Sequence, residues 1–264
     1  MQNVRVAFSG SGFLAPIHAG AVCGMLDSEK SILEVAGTSG GSIAAALVAC
    51  GYSSSIIKSI SLEDLPSDII PDGVLDFSLR SLMHNGLSDG SVLLNWLHEK
   101  LGDVTFAQAK IPITIMATDI QAGKSFKFSA ATTPDISLYQ ACRASASVPF
   151  VYAPYQIGGM YFCDGGMCCN LPINQLVMDS AEQIGIEVMD GIPSGDIDGW
   201  MDFSKQCIKT MLASNEANLE AWGEMFDAKI IQVDAAPYGF LNAKLPLSAK
   251  TELFNRGYKA AQAG

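Results

Sequence analysis

Ser39 stands in the run Gly37-Thr38-Ser39-Gly40-Gly41, which fits the pattern G-x-S-x-G. Residues 32–36 before it, apolar apart from Glu34, read as a short strand. Residues 40–49 after it are small and apolar and read as a helix. A serine on so sharp a strand-to-helix turn has its hydroxyl lifted clear of its neighbours, as in a nucleophile elbow. Gly37 and Gly41 serve that geometry, because bulk two residues to either side would strike the adjoining strand or helix. The amide of Gly40 and the helix N-terminus then stand ready to stabilise negative charge. The same run also suits a plain turn where a helix packs closely on a strand, so the chemistry depends on what else converges there.

A serine hydroxyl is a poor nucleophile until a positioned base takes its proton. The chain holds three histidines, His18, His84 and His98, and none follows residue 98. An α/β-hydrolase triad runs Ser, acid, His along the chain, so this inventory excludes it. His18 falls inside a predicted first helix and reads as a packed side chain; His84 and His98 read as surface-helix residues. The other source of a base is a carboxylate where solvent is scarce. Asp164, in Phe162-Cys163-Asp164-Gly165-Gly166, ends a predicted apolar strand and is followed by two glycines that permit a sharp turn or a close approach. An ordinary Asp-Gly turn fits those residues equally well. The loop Ser9-Gly10-Ser11-Gly12 after the first strand presents successive backbone N–H groups in a concave nest, suited to an oxyanion or a phosphate. It lacks G-K-[ST], Ala15 stands where a dinucleotide fingerprint needs glycine, and no acidic residue ends the second strand convincingly. An oxyanion hole is the favoured reading.

The elements that must carry these residues alternate. Val4–Phe8 reads as a strand, Ile17–Leu26 as a helix, and the elbow strand and helix follow, an opening that implies a parallel sheet flanked by helices. Residues 53–89 are weakly patterned and read as short helices. Ser88 or Asp89 is expected to cap a helix that stops at Gly102. Ile111–Ile120 and Lys124–Phe128 read as strands, Leu138–Ala144 as a helix, and Tyr155–Cys163 as a hairpin turning at Gly158-Gly159. The last third gives strands at Ile184–Val188 and Ile230–Val233, a long helix near residues 200–226 and a terminal helix from about Ser248. No linker or repeat interrupts residues 1–264, which read as one α/β domain. Leu75, Phe77, Leu79, Leu82, Met83, Leu87, Leu94 and Trp96 suit either an acyl channel or ordinary core.

Composition narrows the field. Of 264 residues, 49% are hydrophobic and 16% charged, which excludes disorder. The net charge of −11 argues against nucleic acid and against steering to anionic membranes. Seven cysteines, an odd number set among apolar neighbours, read as buried free thiols in a reducing compartment, with no second pair at metal-ligand spacing. No apolar run spans a bilayer and the first residues lack a signal-peptide core, so a cytoplasmic location is expected.

Four blocks in order resemble the patatin-like phospholipase family of serine lipid acyl hydrolases. They are Phe8-Ser9-Gly10-Ser11-Gly12 with His18-Ala19-Gly20, Gly37-Thr38-Ser39-Gly40-Gly41-Ser42, Arg143-Ala144-Ser145-Ala146-Ser147-Val148-Pro149, and Asp164-Gly165-Gly166 with Asn170-Leu171-Pro172. The segment Ala117-Thr118-Asp119-Ile120 before Gly123 adds to the likeness. The resemblance covers the chain to about Pro172 and implies a three-layer α/β/α sandwich with a mostly parallel central sheet. It also implies a Ser-Asp dyad without histidine, which agrees with the inventory above. Ser39 would be the nucleophile, Asp164 the general base, and the amides around Gly10, Ser11 and Gly12, with Gly40, the oxyanion hole. The substrate would be an acyl lipid or ester, met through peripheral membrane contact, with no metal or cofactor. Ser11 interrupts the family's glycine run, and Leu14 occupies the position of its basic residue. Those departures keep two further readings open, a binding or regulatory protein on a weakened scaffold and an acyltransferase using the same dyad. No pattern specifies an oligomeric state.

Overall fold

The computed structural model describes residues 2–28, 30–63, 65–66, 68–69, 86–189, 197–199, 203, 206–210 and 227–263. In chain order the elements are β1 (Gln2–Phe8), α1 (Pro16–Asp27), β2 (Lys30–Thr38), α2 (Gly40–Ala49), α3 (Ser54–Leu62), β3 (Gly86–Ser88) and α4 (Ser91–Leu101). They continue with β4 (Ile113–Asp119), β5 (Lys124–Ser129), α5 (Leu138–Ser145), β6 (Phe150–Tyr152), β7 (Tyr155–Ile157), β8 (Met160–Asp164), β9 (Glu182–Met189), β10 (Lys229–Asp234) and α6 (Leu247–Ala263). Local signals explain their ends. Pro16 opens α1 at a position where a missing N–H costs nothing. Gly90, at φ +72°, turns the chain into α4, and Asp89 Oδ1 accepts the Ser91 N–H at 2.8 Å. Ser137 and Gln140 cap α5 reciprocally.

Eight strands form one sheet in the order β10-β9-β1-β2-β4-β8-β7, with β5 also on β4. The β10/β9, β9/β1, β1/β2 and β2/β4 pairings are parallel, whereas β5, β7 and β8 pair antiparallel. The sheet is mixed α/β and mostly parallel, as the sequence pattern implied. The hairpin at Gly158-Gly159 forms as expected. A small parallel pair, β3 with β6, was not legible beforehand.

Alternation along β1 shows where the core sits. Val4, Val6 and Phe8 point into the larger core with the helices, and Ala7 points to the opposite face. That second face holds a smaller cluster of Ala7, Ala36, Leu171, Ile173 and Leu176. The helix expected across 200–226, and residues 75–83 of the expected channel, fall largely or wholly outside the described residues. No helix among the described residues is long and apolar enough to cross a membrane.

The arrangement at β4 decides the site. β2 pairs with β4 up to Thr38 opposite Met116, and β8 pairs with it from Asp164 opposite Ala117. β5 runs along residues 114–119 on the other edge, so β2 and β8 share one edge of β4. They arrive from opposite directions and end at adjacent registers. The residue after β2 and the last residue of β8 therefore meet.

α1 and α6, far apart in sequence, pack closely because glycines line their contact. A Cβ on Gly20 would collide with the Phe254 carbonyl, one on Gly24 would lie 2.6 Å from the Tyr258 carbonyl, and one on Gly257 would collide with the Ile17 carbonyl. Backbone atoms cannot give way as side chains do. Gly257→Ala gains about 1 kcal/mol of helix propensity but overpacks this contact at a cost of about 1–3 kcal/mol. A lowered midpoint in chemical denaturation is the expected result, against the rise that propensity alone would give.

Candidate active site

Ser39 adopts φ 51°, ψ −124°, a conformation that side-chain-bearing residues rarely accept. The glycines on either side make it possible. A Cβ on Gly37 would lie 2.6 Å from the Gly41 carbonyl and 2.7 Å from the Ser42 Cα; one on Gly41 would strike Ser9 and Phe8 backbone oxygens. The turn is fastened by Ser145, whose Oγ accepts the Ser39 N–H at 2.7 Å and donates to the Met116 carbonyl at 2.6 Å. Ser42 donates to the Ser39 carbonyl through N at 3.0 Å and Oγ at 2.6 Å.

Ser39 Oγ donates to Asp164 Oδ2 at 2.6 Å. Both residues are buried, at 4% and 6% exposure. The second carboxylate oxygen, Oδ1, accepts the Gly166 N–H at 2.8 Å, which fixes the rotamer. The Asp164 backbone is held too: its N–H donates to the Ser147 carbonyl at 2.9 Å, and its carbonyl accepts from Thr118 Oγ1 at 2.9 Å. Burial pushes the Asp164 carboxyl up from 3.8 to about 6, and the hydrogen bonds from Ser39 and Gly166 offset part of that rise. The group can thus hold a proton near neutrality and still be mostly ionised at pH 7 and above.

The glycine loop lies against the elbow. A Cβ on Gly40 would sit 2.5 Å from Ser11 Oγ and 3.2 Å from the Gly12 nitrogen, and one on Gly10 would sit 3.5 Å from the Ser39 Cβ. The Gly10 N–H is already engaged, donating to the Asn170 carbonyl and to Asn170 Oδ1, both at 3.1 Å. Of the four expected donors, the amides of Ser11, Gly12 and Gly40 remain without a hydrogen-bond partner among the described residues. Ser11 Oγ is buried and unpartnered as well. Leu14 is buried at 1% exposure and brings no charge.

The histidines stand aside. His18 is fully buried, and its Nε2 donates to the Ser9 carbonyl at 2.8 Å, which anchors the glycine loop. Burial lowers its pKa to about 4, so it remains neutral. His98 is exposed and pairs with Asp103; His84 lies outside the described residues. Cys23, Cys142, Cys163 and Cys169 are buried free thiols, and burial pushes Cys142 and Cys169 up to about 12.

A cavity of about 1020 Å³, its open mouth included, begins at Ser39, Gly12 and Gly40. Ile43, Ala44 and Leu47 of α2, Leu93 and Trp96 of α4, and Val148 give it apolar walls. Trp96, expected from sequence as channel or core, is a lining residue; Leu94, two residues earlier on the same helix, is not.

Residues 6–177 match the patatin-like phospholipase family, and Ser39, Asp164 and the glycine loop lie within that span. The chain belongs to that family. It is 30% identical over 195 residues to an uncharacterised protein of Acanthamoeba polyphaga mimivirus, covering 70% of this chain and 65% of that one. It is 25% identical to the probable lipid hydrolase of Invertebrate iridescent virus 6, covering 97% of this chain and 87% of the viral protein. An uncharacterised NTE family protein of Mycobacterium tuberculosis is 25% identical over 73% of this chain, which spans only 51% of that relative. Among solved structures, VipD from Legionella pneumophila superposes over 99% of this chain and 66% of its own, with TM-score 0.60 at 14% identity. ExoU of Pseudomonas aeruginosa, solved in complex with SpcU, gives 0.51 at 17% identity over 99% of this chain and 52% of the matched chain. These two share the fold.

Several residues that hold the site were not assigned a role from sequence. Arg143 is 1% exposed and ties three segments together. It donates through Nη1 to Ser147 Oγ at 2.6 Å, through Nε to the Gly90 carbonyl at 3.1 Å, and through Nη2 to the Asp89 and Ala153 carbonyls at 2.9 and 3.2 Å. The rings of Tyr152 and Tyr155 flank it at 5.1 and 5.4 Å. Arg143 therefore secures Ser147, whose carbonyl holds the Asp164 amide. Ser145 and Asn170 act equally locally, on the Ser39 and Gly10 amides. The available signal was polar residues embedded in apolar runs, a pattern that demands partners without naming them.

The raised Asp164 value has a consequence for stability. The folded protein binds this proton more tightly than the unfolded chain, so the site is most favourable below pH 3.8 and loses that advantage as pH rises through about 6. The full difference is on the order of 3 kcal/mol. Asp164→Asn removes the ionisation and keeps an acceptor for Gly166. Its melting temperature should exceed that of the wild type at pH 8, and the gain should vanish near pH 4 in a thermal-denaturation series.

Proposed function

We propose that the protein is a lipid acyl hydrolase that works through a Ser39–Asp164 dyad. The observation that carries this reading is the 2.6 Å hydrogen bond from Ser39 Oγ to Asp164 Oδ2 at the head of an apolar cavity. Asp164 takes the hydroxyl proton as Ser39 Oγ attacks the ester carbonyl carbon. The carbonyl π electrons move onto its oxygen, which is received by the unengaged amides of Gly12 and Gly40, with Ser11 beside them. Collapse of that intermediate breaks the ester bond, and the leaving alkoxide takes the proton from Asp164. Water then attacks the acyl-serine as Asp164 accepts its proton; collapse of the second intermediate breaks the bond from Ser39 Oγ to the acyl carbon, Ser39 Oγ takes the proton back from Asp164, and the fatty acid departs.

The features that motivated a weakened scaffold support a particular emphasis instead. With Leu14 buried in the loop, no cation there assists the oxyanion or recognises a phosphate headgroup. Recognition then falls mainly on the acyl part of the substrate, which the cavity can surround. The lipid-hydrolase name of the iridescent virus relative is consistent with this.

Ser39→Ala and Asp164→Asn should each lower kcat/KM on a p-nitrophenyl acyl ester by at least about a thousandfold. Only the wild type and Asp164→Asn should retain the residue that a fluorophosphonate labels. Full turnover in either variant would overturn the assignment. In the wild type, kcat/KM should rise with pH through about 6 and then level off, because the base must be ionised to act. A pH profile that is flat from 5 to 8 would point to a different base.

A further inference from the structure

The amides of Ser11 and Gly12 belong to a loop with two glycines, which has little rigidity of its own. A trans peptide sends its carbonyl and its N–H in opposite directions, so whatever holds one end aims the other. Three successive peptides of the loop are held in this way. The Leu14 N–H donates to the Ser11 carbonyl at 3.0 Å, which sets the direction of the Gly12 N–H. Ser9 Oγ donates to the Gly10 carbonyl at 3.2 Å, which sets that of the Ser11 N–H. The Ser9–Gly10 peptide differs, because both of its ends are gripped by residues outside the loop. His18 Nε2, from α1, donates to the Ser9 carbonyl at 2.8 Å, and the Gly10 N–H donates to the carbonyl and Oδ1 of Asn170, both at 3.1 Å. His18 and Asn170 are buried, and neither lines the cavity. A carbonyl only accepts, so the His18 proton sits on Nε2, and Nδ1 is buried with no hydrogen-bond partner among the described residues. An apolar side chain would leave no such acceptor unpaired, so the donor is what histidine contributes there.

We propose that His18 and Asn170 are positioning residues of the oxyanion hole, a two-sided clamp on the Ser9–Gly10 peptide. The proposal deepens the hydrolase reading and rests on it for the anion that the loop receives. Upstream, the chain is fixed to the sheet: the Ser9 N–H donates to the Ile186 carbonyl at 3.0 Å, and Ser9 Oγ accepts the Val188 N–H at 3.1 Å. Downstream, the Phe13 N–H donates to the Phe240 carbonyl at 2.8 Å. Between these anchors the Ser9–Gly10 peptide has the freedom to rotate, since Gly10 carries no Cβ to oppose the turn. Such a rotation changes ψ of Ser9 and φ of Gly10 and shifts the two peptides that follow. Their N–H groups stabilise developing charge only if they are in place beforehand, and a small displacement forfeits much of that effect. The clamp removes this freedom without touching the substrate.

The test compares three variants: His18→Met, which removes the donor; His18→Gln, whose Nε2 can take the place of the imidazole Nε2; and Asn170→Ala. In His18→Met and Asn170→Ala, kcat on a p-nitrophenyl acyl ester should fall roughly 10- to 100-fold while KM stays within about twofold. The inhibition constant of an alkyl trifluoromethyl ketone, whose adduct with Ser39 places a charged oxygen in the hole, should rise by the same factor. His18→Gln should recover most of the loss. The double variant should lose little more than the worse single one, because both groups hold the same peptide. Exchange of the Gly10 amide, followed by NMR, should be about tenfold faster in His18→Met and in Asn170→Ala than in the wild type. A rise in KM at unchanged kcat, equal losses in His18→Gln and His18→Met, or a Gly10 amide equally protected in every variant would overturn the inference. Asn170→Ala leaves α1 untouched and carries the test alone if His18→Met does not fold. Amide exchange needs no turnover, so a wild type that hydrolyses no ester counts against the dyad, and an unmoved Gly10 amide against the clamp.

Discussion

The site depends on one topological constraint, that two strands share an edge of β4 and end on it head to head. β2 delivers Ser39 past Met116, and β8 delivers Asp164 opposite Ala117. A slip of one residue in the β8 pairing would turn Asp164 to the other face of the sheet and part the two side chains. Register is accordingly defended from several sides. Thr118 Oγ1 holds the Asp164 carbonyl, and Thr38 Oγ1 donates to the Cys169 carbonyl at 2.8 Å, tying the end of β2 to the turn after β8. Gly165 lets that turn pass directly over the Met116 backbone, where a Cβ would not fit.

Around this junction the fold concentrates its unfavourable features. A serine at positive φ, a carboxylate taken out of water and an arginine buried among carbonyls and tyrosine rings each oppose stability. They persist because neighbouring hydrogen bonds leave them no alternative geometry. The cost lies where the chemistry is, and the rest of the sheet is ordinary alternating apolar packing.

The order of elements was legible because it rests on local patterns. Glycine spacing around Ser39 and the alternation in β1 do not depend on distant contacts. Ser39 and Asp164 could also be singled out as candidates, since the histidine inventory left few bases and the four blocks resembling the family placed both residues in matching motifs. Which amides stay free was not legible. Gly10 reads as a donor in the loop, yet its N–H is occupied by Asn170, 160 residues later in the chain. Arg143 likewise reads as one charge on a short helix, and its work lies in the carbonyls of Asp89, Gly90 and Ala153 and the hydroxyl of Ser147. Long-range polar pairing leaves no periodic trace, and residues 70–85 carried too weak a pattern to assign.

The interlocked glycines of α1 and α6 bear on how the molecule is made. α1 begins immediately after the loop that flanks Ser39, and its outer side is seated against α6. On the ribosome, both side chains of the dyad emerge well before residues 247–263 are translated. Until that last segment arrives, α1 lacks its partner and the loop at its start lacks a rigid base. The order of synthesis therefore delays the seating of α1 until residues 247–263 have emerged, so Ser39 and Asp164 are both present on the nascent polypeptide before the loop beside them has its rigid base.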